Sequence, residues 1–115
     1  MISLPSKVPI IVVHHPVSFG CGIDGMRGLC IKIVKKDPMD FGYFLFINKG
    51  HNQLRVLWYD GQGFYLCTKR LSKGRYSNWP KVGENLFSTV AYFQAQGLLA
   101  GHILEDKGYL PLWNS

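Results

Sequence analysis

The chain has 115 residues, 47% of them hydrophobic and 17% charged, and a net charge of +6. That length fits one domain, and the apolar share argues against disorder. The positive balance points towards nucleic acid or another anionic partner.

The three cysteines, Cys21, Cys30 and Cys67, are odd in number and include no CxxC pair. This argues against a disulfide framework or a structural zinc site, and reduced thiols in a cytoplasmic protein are expected. The opening MISLPSKVPIIVV does not read as a signal peptide, because Pro9 interrupts a short apolar run. No segment approaches the roughly 20 apolar residues of a membrane span, so no membrane role is expected.

Residues 1–8 read as a loose arm. The β-branched run Ile10 to Val13 predicts a strand that ends at His14-His15-Pro16. From Ile23 to Lys36 the period is helical, with Ile23, Met26, Cys30, Ile33 and Val34 on one face and Leu29 beside them. Gly25 and Gly28 weaken that helix by roughly 1 kcal/mol each, and Asp37-Pro38 stops it.

Tyr43 to Ile47 is apolar at every position, which predicts a strand covered on both faces and central in its sheet. After the turn 48–52, Gln53 to Tyr59 alternates. Leu54, Val56 and Trp58 share one side; Gln53, Arg55, Leu57 and Tyr59 share the other. Asp60-Gly61-Gln62-Gly63 is a hairpin turn, and Phe64 to Leu71 returns as the next strand. Ser72-Lys73-Gly74 turns again, and Arg75 to Trp79 reads as a short fourth strand. Ser88 or Thr89 is placed to cap a last helix running to about Leu99 and ended by Gly101. Residues 104–115, with Leu110, Leu112 and Trp113, read as an apolar docking tail.

The expected fold is therefore one α+β domain spanning residues 1–115. It holds an antiparallel β-meander of about four strands, with one helix before it and one after it. The first strand is expected to add to an edge of that sheet.

Little here points to catalysis. The seven acids are scattered, and Asp37 and Asp60 occupy turns, so a multi-carboxylate metal site is not expected. His14 and His15 are adjacent on a strand end and cannot easily serve one site. Cys21 has no evident base near it. Gly61, Gly63 and Gly74 are turn glycines, since no phosphate-loop pattern accompanies them. No catalytic residue, metal or cofactor is expected.

The basic residues tell more. Lys49, Arg55, Lys69, Arg70, Lys73 and Arg75 lie in the meander, with Asp60 the only acid among them. Gathered on one surface, they would neutralise several phosphates. Tyr59, Tyr65, Tyr76 and Trp79 would then offer rings for stacking. The competing reading buries the rings and leaves the cations merely solvated.

The run LRVLWYDGQGFYLCTKRLSKGRY, followed by Trp79-Pro80, resembles the small accessory protein of the IS-sixty-six class of insertion sequences. That protein is the second reading frame product, TnpB, unrelated to the RNA-guided nuclease of the same name. The family pattern falls on Arg55-Val56-Leu57, Trp58-Tyr59, Asp60-Gly61, Gly63, Lys69-Arg70-Leu71 and Gly74. Asp37-Pro38, Phe44-Leu45-Phe46 and Leu98-Leu99-Ala100-Gly101 also fit. Ser18-Phe19-Gly20 stands where the family usually has aspartate-methionine-arginine, and the basic turn after the central strand is reduced to Lys49-Gly50-His51.

The resemblance implies an accessory role in DNA transposition beside a separate transposase, and with the scattered acids no enzymatic activity is expected. On that basis DNA is the expected partner, bound with little sequence preference by the six cations. The alternative is an adaptor that docks on the transposase or on a second copy without touching DNA.

Overall fold

A computed structural model describes residues 8–77, 79–80 and 84–100. Five strands form one sheet: β1 (Ile10–Val13), β2 (Tyr43–Ile47), β3 (Gln53–Tyr59), β4 (Phe64–Arg70) and β5 (Phe87–Thr89). Their order across the sheet is β4-β3-β2-β1-β5. Helix α1 (Ile23–Leu29) continues as a π-helical turn, Cys30–Val34, and α2 is Tyr92–Ala100.

The meander β2-β3-β4 is antiparallel with unbroken register, from Phe44 opposite Leu57 to Tyr59 opposite Phe64. The sheet as a whole differs from the expected one. β1 pairs with β2 in parallel and with β5 antiparallel. The sheet is mixed and has five strands; β1 adds to the β2 edge of the meander, and β5 pairs beyond it and makes it interior. The physical reason is legible in IIVV itself. All four residues are buried, so both faces of that strand need cover, as those of β2 do.

Strand alternation builds two cores. Ile10, Val12, Leu45, Ile47, Leu54 and Val56 face α2, where Ala95, Leu98 and Leu99 cover them. Ile11, Val13, Phe44, Phe46 and Leu57 face α1, where Met26, Cys30 and Val34 cover them. Burial drives the Cys30 thiol up to about 12, so it packs as an apolar group. The helix expected to reach Lys36 stops at Val34. Lys35 ends it in the left-handed region, at φ 65°, with its N–H on the Ile31 carbonyl.

Three further expectations are corrected. Of the expected strand Arg75 to Trp79, the described residues 75–77 and 79 join no ladder: the Tyr76 N–H goes to the His51 carbonyl. Tyr76 and Trp79 are buried in the α2-side core, edge to face, with ring centroids 6.4 Å apart. The Trp79 indole donates to the Val13 carbonyl at 2.9 Å. Ser88 and Thr89 lie in β5 and do not cap α2. There, Gln94 Oε1 accepts the Ala91 N–H at 2.9 Å. The arm 1–7, Gly101 and the tail 104–115 lie outside the described residues.

The parallel β1–β2 pair depends on Gly42. Its φ is +50°, and a Cβ there would stand 2.3 Å from the Pro9 carbonyl oxygen. That oxygen accepts the Tyr43 N–H at 2.9 Å and starts the ladder. Gly42→Ala combines a left-handed backbone with a clash against main chain. It is expected to cost more than about 1 kcal/mol, read as a lower denaturant midpoint at unchanged slope. Trp79→Phe keeps most of the packing and removes the buried hydrogen bond to the Val13 carbonyl. The expected loss in the same measurement is about 1–3 kcal/mol.

Candidate nucleic-acid interface

Two loops meet at one end of the sheet, where β2 and β4 finish and β3 begins. The first, 48–52, is locked by Asn48. Its Oδ1 accepts the N–H groups of Asn52 and Gln53 at 3.0 and 2.9 Å, and its Nδ2 donates to Asn52 Oδ1 at 2.7 Å. His51 takes a left-handed φ of 59° inside this turn. The second loop, 71–76, lies against the first. The Leu71 N–H donates to the Asn52 carbonyl at 2.9 Å, and the Tyr76 N–H to the His51 carbonyl at 2.7 Å. Gly74, at φ +74°, makes the bend.

Lys49, Lys73 and Arg75 project from this pair of loops and Arg70 from the strand end beside it; all four are exposed. No acid occurs between residues 41 and 59 or between 61 and 77. Among the described residues the one ion pair is Arg27–Asp37, at 2.7 Å. Its guanidinium also holds the Asp37 carboxyl below the usual carboxylate range.

The other two expected cations are engaged elsewhere. Arg55 is half-buried on the α1 side. It donates to Thr68 Oγ1 at 2.9 Å and to the Cys21 carbonyl at 3.0 Å, and its guanidinium lies 4.5 Å from the Phe19 ring centroid. It thereby ties the 19–21 connection to the sheet. Lys69 and Arg70 are neighbours on β4, so they point to opposite faces. Lys69 runs over the α2 side, where Nζ donates to the Leu99 carbonyl. Burial lowers its pKa. A cation at the last carbonyls of a helix suits the helix dipole. The period-2 pattern of β4 held this signal: Lys69 shares a face with Tyr65 and Cys67, and Arg70 with Leu66 and Thr68.

The aromatic residues divide as well. Tyr76 and Trp79 are core. Tyr43, Trp58 and Tyr65 form a stack across β2, β3 and β4, with centroids 5.0 and 4.7 Å apart and planes within 19°. This stack lies towards the far end of the sheet, by the Asp60 hairpin. There Asp60 Oδ1 accepts the N–H groups of Gln62 and Gly63, which holds its carboxyl below the usual range. A shallow cavity of about 340 Å³ beside it is lined by Asp40, Tyr43, Trp58 and Asp60, among others. Its two carboxylates make it a poor host for phosphate.

His14 is a buried structural histidine. Nδ1 meets the Asn85 carbonyl at 3.0 Å and Nε2 meets Ser88 Oγ at 2.9 Å. The carbonyl only accepts, so the Nδ1–H tautomer is assigned. Among the described residues no three His, Cys, Asp or Glu side chains converge as a metal site. No helix among them is long and apolar enough to cross a membrane.

Comparison with known proteins agrees with the motifs of the β3–β4 hairpin. Residues 8–108 match the family model described as "IS66 Orf2 like protein". Uncharacterized protein y4hO of Sinorhizobium fredii is 38% identical over 100 residues, covering 85% of each chain. Uncharacterized protein y4jC of the same organism is 34% identical over 73 residues, covering 63% of this chain and 62% of that one. No solved structure matches the chain. The matched span takes in every described strand and helix, and the chain belongs to the IS66 Orf2 like family of insertion-sequence accessory proteins.

Proposed function

We propose that this protein assists transposition by binding the DNA backbone through the joined loops 48–52 and 70–76. One observation carries the reading. Lys49, Arg70, Lys73 and Arg75 are exposed on segments locked to one another by main-chain hydrogen bonds, with no acid in either loop. Such a surface meets phosphates with little loss of backbone freedom and makes no base-specific demand. Arg55 and Lys69 are not part of this surface, since both side chains already have partners on the faces of the sheet.

Fluorescence anisotropy on duplex and single-stranded DNA over a salt series tests this. Affinity should fall steeply with salt. The triple variant Arg70→Ala/Lys73→Ala/Arg75→Ala should weaken binding to every sequence alike. It should also reduce the slope of log K against log salt by roughly two to three, about 0.9 for each duplex phosphate that is no longer neutralised. Absence of binding at low salt, or an unchanged slope in the triple variant, would refute the proposal.

The adaptor reading draws on different residues. Leu86 and Phe93, on either side of β5, are 55% and 65% exposed, an apolar display of the kind found at protein contacts. Co-purification with the element's transposase, lost on Phe93→Asp and Leu86→Asp, together with no retention on DNA, would favour it.

A further inference from the structure

β4 is the outer strand on one side of the sheet. It pairs with β3 along its full length, yet none of its seven residues is fully buried. The phase of that ladder is fixed at both ends. The Asp60 N–H donates to the Gly63 carbonyl, and the Leu71 N–H to the Asn52 carbonyl. The pairs in step with these, Trp58–Tyr65, Val56–Cys67 and Leu54–Lys69, are therefore the hydrogen-bonded ones. The backbone groups of Phe64, Leu66, Thr68 and Arg70 point the other way, along an edge that is open among the described residues.

We propose that two copies of this chain pair antiparallel through β4, about a two-fold axis at Cys67, joining five strands from each into one continuous sheet. The outward backbone groups fit that register. Leu66 meets Thr68 of the partner subunit, and Phe64 meets Arg70 of the partner subunit, both as hydrogen-bonded pairs. Facing residues share a side of the sheet. Each Arg70 therefore stands beside a Phe64 ring, and each Lys69 stem beside a Tyr65 ring, in cation–aromatic pairs that occur twice by symmetry. Tyr65, 46% exposed in the single chain, becomes covered.

Lysine on an edge strand ordinarily discourages such pairing. Here the Lys69 ammonium is turned onto the Leu99 carbonyl, over the sheet face. The two Arg70 residues stand six strand positions apart, roughly 20 Å. The opposite edge, β5, has only three residues and offers no comparable length.

The register makes a covalent prediction. Cys67 faces its own copy in a non-hydrogen-bonded pair, where Cα atoms are about 4.5 Å apart. That lies within the span a disulfide bridges, about 4.4–6.8 Å. Diamide takes two protons and two electrons from the facing thiols and leaves a Cys67–Cys67 bond. The experiment uses the full chain, freed of nucleic acid, in a Cys21→Ser background. Light scattering over a dilution series should show a dimer, and diamide should link it. Adding Cys67→Ser should abolish the link and leave the dimer. Tyr65→Lys, which sets an ammonium against Lys69 of the partner subunit, should weaken dimerisation about tenfold, with the loss of its stack on Trp58 read separately in the thermal midpoint of the diluted monomer. A monomer throughout the series would overturn the pairing. So would a dimer that does not link at Cys67, or one indifferent to Tyr65→Lys. The dimer is read on Tyr65 and Cys67, neither of which belongs to the proposed DNA surface.

Discussion

The structure depends on two neighbouring strands that have no solvent face. β1 is buried at all four residues and β2 at four of its five. A strand buried on both sides requires a layer above and a layer below. Helix α1 supplies one layer and α2, with Tyr76 and Trp79, the other. β1 and β2 run parallel, so the chain must cross from the end of one to the start of the other, and α1 rides on that crossing. Gly42 permits the return, because only a residue without Cβ fits under the Pro9 carbonyl there. With both faces occupied, charged groups have the rim of the sheet left to them.

That arrangement explains why the cations sort as they do. Alternation along β4 sends Lys69 and Arg70 apart, one to the C-terminal turn of α2 and one to open solvent. Arg55 faces the α1 side in mid-sheet, where an unpaired charge would be costly. It is held by two hydrogen bonds and a ring. Loop residues escape this constraint. Lys49, Lys73 and Arg75 lie beyond the strand ends, and the Asn48 side chain together with two inter-loop hydrogen bonds gives their backbones fixed positions. The cations that remain available are those the sheet does not need.

Local chemistry was readable and remote pairing was not. The bounds of β2, β3 and β4 follow from apolar runs, alternation and the Asp60-Gly61 turn, all set within a few residues of one another. The two faces of β3 are those its alternation indicates. β5 escaped because Ser88 and Thr89 read as cap residues, whereas their role is to pair with Val12 and Ile11 some 76 to 78 positions earlier. The Arg75–Trp79 segment has the aromatic content of a strand, but its backbone bond goes to a loop carbonyl. For the candidate interface, residue types and turn positions were visible in the sequence. Which cations were already engaged was not, since Leu99 and Cys21 lie 30 and 34 positions from the residues they bind.

Charge is also distributed along the strands. The end bearing loops 48–52 and 70–76 is cationic. The end bearing the β3–β4 hairpin holds Asp40 and Asp60 around a shallow cavity, with the Tyr43–Trp58–Tyr65 stack alongside. Each turn is closed by a side-chain oxygen that accepts two backbone N–H groups. Asp60 accepts two N–H groups at the hairpin tip, while neutral Asn48 does the same work in the basic loop. An aspartate at 48 would satisfy the same donors but cancel one cation in a group of four. Asparagine closes the turn and leaves the positive field intact. The amide in place of the acid is thus the choice that lets a tight turn and a cationic surface occupy the same few residues.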